Sequence, residues 1–122
     1  MATLTQQLII SSTTTSSDAL SINTSDTLTV TEPSINIARK SIATGSAQTI
    51  LPALSGSYTY IYVKAISGTA TTDWVQVKIG GNVVAKLRLG ESIWLPIYNN
   101  LLIEGEAQGN AVIVEYGQWT VS

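Results

Sequence analysis

The chain has no cysteine, no histidine and no phenylalanine among its 122 residues. Without Cys there are no disulfides and no thiolate metal sites. Small extracellular β-domains commonly rely on a disulfide, so its absence points to assembly in a reducing cytoplasm. Without His the commonest general base and metal ligand are missing. Ser-His and Cys-His nucleophile pairs are therefore excluded, and zinc has no natural ligand set. No glycine motif suits a phosphate, because Gly80-Gly81 reads as a turn with no helix after it. Glu104 and Glu106 share a strand face near Glu115, but the plain reading of such acids is an outer, solvated face rather than a glycosidase pair. We expect no enzyme, no cofactor and no metal.

Charge is scarce as well. Lys and Arg total 6 against 8 Asp and Glu, a net charge of −2. That balance argues against nucleic acid as a partner. The opening Met1-Ala2-Thr3-Leu4-Thr5 has no basic n-region or long apolar core, and no apolar run reaches membrane-spanning length. We expect a chain made in the cytoplasm, with no membrane partner. Charges are unevenly spread: residues 1–38 hold only acids, 39–88 hold all six bases and one acid, and 89–122 hold four acids and no base. This pattern reads either as chance in a charge-poor chain or as two oppositely charged faces that dock subunits.

What the chain does hold is Ser, Thr, Val and Ile, residues that suit a pleated sheet and are stiff in a helix. We find no helical apolar period. The expected class is all-β: a β-sandwich of jelly-roll type, with about eight short antiparallel strands and an extended N-terminal arm. The arm is residues 1–31 and the sandwich 32–122. Fifteen of the first 31 residues are Ser or Thr. Such a segment cannot bury enough apolar area to offset its own ordering entropy. Its brief apolar beats, Leu8-Ile9-Ile10, Leu20 with Ile22, and Leu28 with Val30, suit a strand added to a neighbouring chain.

The body reads as strands and turns. Tyr58 to Ile66 places Ile61, Val63 and Ala65 on one face and Tyr58, Tyr60, Tyr62 and Lys64 on the other. A three-residue loop with Asn82 at positive φ pairs Ile79 with Val83, Val77 with Ala85 and Val75 with Leu87. That register sets Trp74 opposite Arg88, a candidate cation–π pair. Leu101–Gln108 and Ala111–Trp119 read as a hairpin about Gly109-Asn110, which would place Glu104 against Glu115. The tyrosine stripe, with Trp74, Trp94 and Trp119 elsewhere, has three readings: a subunit contact, packing under another layer, or a sugar-stacking platform.

The stretches Lys86-Leu87-Arg88-Leu89-Gly90-Glu91, Leu95-Pro96 and Val114-Glu115-Tyr116-Gly117-Gln118-Trp119 give a further pointer. Over residues 58–122 the pattern of strand, Gly-Glu turn, Leu-Pro, apolar strand and Glu-Tyr close resembles small β-sandwich virion proteins of tailed bacteriophages. The resemblance implies a capsid decoration (cement) protein, located in the virion, often a homotrimer, with the major capsid protein or other virion proteins as partners. A tail, neck or head-fibre component, or a glycan-binding adhesin module, is the alternative. The motifs mark turns and core positions, so no family site residues carry over. The candidate subunit interface is Leu8, Ile9, Ile10, Leu20, Ile22, Tyr58, Tyr60, Tyr62, Trp74, Arg88 and Trp119.

Overall fold

A computed structural model describes residues 2–11, 21–53, 59–97 and 101–121, with backbone alone at residue 2 and over 31–36. Leu20, Tyr58, the Gly56 break and the Tyr98-Asn99-Asn100 turn lie outside the described residues. Nine antiparallel strands are described: β1 (Ala2–Ser11), β2 (Ser21–Ile42), β3 (Gln48–Leu51), β4 (Thr59–Gly68), β5 (Trp74–Ile79), β6 (Asn82–Arg88), β7 (Ser92–Ile97), β8 (Ile103–Gln108) and β9 (Val112–Val121). They form a five-stranded sheet, β1-β2-β9-β4-β7, facing a four-stranded sheet, β3-β8-β5-β6.

Apart from β1, the pairs are nested: β2 with β9, β3 with β8, β4 with β7, β5 with β6. One long antiparallel ribbon is rolled so that β9 meets β4 and β8 meets β5. This is the jelly-roll order expected of the composition. Alternate residues of each strand fill the interior. Ile61, Val63 and Ala65 of β4 and Val112 and Val114 of β9 face Val75 and Val77 of β5 and Ile103 and Ala107 of β8, all buried.

The nested order corrects one expected hairpin. β8 and β9 do not pair; Gly109-Asn110 is an arch that carries the chain from the four-stranded sheet to the five-stranded one. Ile103 and Val112 point into the same core in either arrangement, so apolar alternation cannot separate hairpin from arch. The arch also removes the expected Glu104–Glu115 clash. Glu104 lies opposite Lys78 on β5, while Glu115 lies opposite Arg39 on β2 and Lys64 on β4.

The β5–β6 hairpin has the expected pairs Val77–Ala85, Val75–Leu87 and Trp74–Arg88, but not Ile79–Val83: Ile79 lies opposite Asn82, and Val83, opposite Lys78, is exposed. It reaches them differently. Gly80 and Gly81, both at positive φ, form a two-residue turn, and Val84 is then an extra residue between the Val77–Ala85 and Lys78–Val83 pairs. A bulge of this kind restores the apolar face without a third loop residue.

The arch and the β4–β5 connection lie at the same end of the sandwich and share one carboxylate. Asp73 is only 2% exposed. Its Oδ2 accepts from the Ala70 N–H at 2.8 Å, and its Oδ1 accepts from the backbone N–H and the side-chain amide of Asn110, each at 3.2 Å. Gly109 sits at φ +91°, and a Cβ there would lie 2.5 Å from Oδ1, so neither its backbone nor its neighbour tolerates a side chain. Backbone donors, the Ala70 N–H foremost, hold the Asp73 carboxyl below its usual range against the opposing effect of burial.

The arm is a two-stranded ribbon. Residues 2–11 of β1 pair in continuous register with 21–30 of β2, from Ala2–Val30 to Ser11–Ser21. β2 then runs on into the sandwich against β9, with register breaks between Val30 and Ala38 around Pro33. Arm and body thus share a single strand across the 31/32 boundary.

Two outcomes follow. Replacing Ile61 by Ala should destabilise the fold by about 2–5 kcal/mol in denaturant titration, the range for a fully buried large-to-small change. Asp73→Asn should lower the melting temperature at neutral pH. Because the native carboxyl titrates below its unfolded value, its contribution is complete above the unfolded pKa and is lost as pH falls through the native one. The difference in melting temperature between wild type and variant should therefore shrink below about pH 4.

Candidate interaction surface

On β4, Tyr60 and Tyr62 alternate with the buried Ile61 and Val63 and so stand on the outer face of the five-stranded sheet. The flanking strands supply neighbours from the same face: Trp94 of β7 is opposite Tyr62, and Trp119 of β9 is opposite Tyr60. Trp94 stacks on Tyr60 with centroids 5.3 Å apart and planes at 24°, and meets Trp119 at 5.3 Å and 46°. Such offset contacts contribute about 0.5–1.5 kcal/mol each beyond area burial. Trp119 folds over Gly117, where a Cβ would come within 2.6 Å of its ring; the glycine is the space the indole needs.

Beside this cluster Tyr62 donates its hydroxyl to Glu115 at 3.0 Å, and Glu115 also pairs with Arg39 at 3.1 Å. The Tyr62 hydroxyl is pushed above its ordinary value, first by burial and then by the adjoining carboxylate. Glu115 is held low, first by the Tyr62 hydroxyl and then by Arg39.

The ribbon reaches back across this face to the far edge strand. The Trp94 indole N–H donates to the Gln6 side-chain oxygen of β1. Between the ribbon and β7 lies an open groove of about 650 Å³, lined among others by Gln6, Leu8, Asp26, Ser92 and Trp94. From the groove onward the ribbon carries exposed apolar side chains: Leu8 at 52%, Ile9 at 61% and Ile10 at 42%. Ile22, opposite Ile10, is half-buried.

The sequence-derived interface residues therefore fall in three places. Leu8, Ile9, Ile10 and Ile22 belong to the ribbon. Tyr60, Tyr62 and Trp119 meet on the outer face of the five-stranded sheet. Trp74 and Arg88 lie on the four-stranded sheet, away from both. The cation over Trp74 is Lys86, 4.4 Å from the ring centroid, whereas Arg88 turns to Glu91 at 3.0 Å. Directly opposite cross-strand pairing is thus not the cation–π pair, because Glu91 offers the guanidinium a charged acceptor within its own turn. The tyrosine stripe is not an open platform in the single chain, since Tyr60, under Trp94, is only 8% exposed. Nor do the charge blocks make opposed faces: Arg39 pairs with Glu115, Lys78 with Glu106 and Arg88 with Glu91, so bases of the middle block are met by acids of the last.

Sequence reasoning missed Trp94 and Gln6 as partners. Alternation in Ser92–Ile97 places Trp94 outward, but nothing local links it to a residue 88 positions earlier. Among the described residues no group of three His, Cys, Asp or Glu is placed to hold a metal. No known protein-family model matches the chain, and no curated protein is significantly similar to it.

Replacing Trp94 by Phe keeps an aromatic ring over Tyr60 and removes the donor to Gln6. The net value of such a hydrogen bond, about 0.5–1.5 kcal/mol, should appear as faster amide hydrogen exchange across β1, with the amides of β4 and β9 unchanged.

Proposed function

We propose that this chain is a structural virion protein, a capsid decoration protein that stabilises a tailed-phage head, with the major capsid protein or other virion proteins as partners and a homotrimer as its working form. The observation that carries the reading is the ribbon. A two-stranded ribbon is at best marginally stable alone in water, and this one presents Leu8, Ile9 and Ile10 to solvent. Large apolar side chains grouped and exposed on such an element mark a surface that another chain covers. The resemblance over residues 58–122 supplies the setting. A body held by a nested strand order, with no disulfide, suits a subunit that makes many weak contacts repeated by symmetry.

The alternative, a glycan-binding module, draws on the groove, where the edge of Trp94 stands among hydroxyl and amide side chains and the Asp26 carboxylate. One pair of substitutions separates the two. Leu8→Ser with Ile10→Ser should leave the far-UV circular dichroism unchanged and abolish co-sedimentation with heads of the phage that carries the protein. Undiminished head binding by that variant would defeat the ribbon's role, and saturable binding on a glycan array would favour the alternative.

A further inference from the structure

A sheet edge displays unpaired N–H and C=O groups, and proteins guard such edges with charged side chains, proline, bulges or shortness. The four-stranded sheet follows this rule at both ends. Its edge strand β6 carries Lys86 and Arg88 and is interrupted by the extra residue Val84; the other edge, β3, is four residues long. The five-stranded sheet does not. Its edges are β1, with ten residues Ala-Thr-Leu-Thr-Gln-Gln-Leu-Ile-Ile-Ser, and β7, with Ser-Ile-Trp-Leu-Pro-Ile. Neither holds a single charged residue, and neither is bulged against its partner: both registers are continuous, and the one guard is Pro96 near the end of β7.

The two unguarded edges also match each other. Each shows apolar side chains on both faces. On β1, Leu8 and Ile10 point one way and Ile9 the other; on β7, Trp94 points outward and Leu95 inward, at 36% and 38% exposure. Within one chain they approach without pairing: the groove separates them, and the contact across it is the side-chain bond from Trp94 to Gln6. The ribbon joins the body through the irregular stretch between Val30 and Ala38, where the ladder with β9 shifts register three times.

We propose that β1 of one copy adds as a strand to the β7 edge of a second copy of this chain, joining their five-stranded sheets. Main-chain hydrogen bonds supply the attraction, and Leu8, Ile9 and Ile10 pack beside the neighbour's Trp94 and Leu95. Pro96 lacks an N–H, so the paired stretch is centred on Ser92–Leu95. The contact is head-to-tail, because β1 and β7 are different surfaces, so each copy gives one edge and receives at the other. Such an interface closes into a ring when its rotation permits, and a ring occupies every unguarded edge. This rests on the reading of the chain as an assembly protein and names its first partner as itself.

The chain has no cysteine, which makes the test direct. Full-length Gln6→Cys and full-length Ser92→Cys are prepared separately, mixed and treated with a short bis-maleimide in the absence of any particle. A cross-linked dimer is expected from the mixture and not from either variant alone. Thr5→Lys with Gln7→Lys places two charges on the β1 edge and should weaken self-association at least about tenfold by light scattering, with unchanged far-UV circular dichroism. A monomeric mass at all concentrations, or equal dimer yields from mixed and unmixed variants, would overturn the proposal. So would self-association indifferent to the two lysines. None of these results touches head binding, which is measured separately with particles.

Discussion

The side chain of Asp73 holds together two crossings that the rest of the fold requires. A jelly roll is a ribbon of nested strand pairs, and the ribbon can roll only where the chain passes from one sheet to the other. The β4–β5 and β8–β9 passages lie side by side at one end. Asp73 accepts from Ala70 in the first and from Asn110 in the second. Backbone N–H groups at such corners have no ladder partner, and leaving them buried and unmet is unfavourable. One carboxylate meets them at both corners, and Gly109 approaches it closely enough to exclude any side chain. With these corners set, β9 lies beside β4 and β8 beside β5, and the apolar faces of both sheets close on one core.

The same arrangement distributes the surface. Charges drawn from distant parts of the chain are brought into pairs, Arg39 with Glu115 and Lys78 with Glu106. Three aromatic residues gather on the outer face of one sheet, where Trp94 joins Tyr60, Trp119 and, through Gln6, the ribbon. On the reading proposed above, recognition by this molecule rests on shape, apolar contact and exposed main chain.

Much of the architecture was legible beforehand because strand alternation is a local property. Ile61, Val63 and Ala65 are inward as their spacing requires, Val75 and Val77 likewise, and the register of the β5–β6 hairpin follows from keeping one apolar face. The turn within that hairpin was less legible: three loop residues, or two with a bulge at Val84, both keep Val77 opposite Ala85 and Val75 opposite Leu87, and only the second turns Val83 outward. Of the interaction surface, Leu8, Ile9 and Ile10 stood out as apolar beats in a polar segment. Trp74 with Arg88 was misread, since the competing Glu91 lies in a turn whose geometry the pattern does not carry.

By itself the amino-acid sequence determined that this protein is all β, where most strands of the sandwich run, which of their side chains alternate inward, and that the chemistry of His and Cys is absent. Tertiary structure alone decided which strands are neighbours. Ile103 and Val112 face the core equally well from one sheet or from two, so only the closing of the roll turns Gly109-Asn110 into an arch, separates Glu104 from Glu115 and brings Gln6 to Trp94. Alternation records which way a residue points, whereas partnership between strands depends on what lies across the core, and no local period encodes that.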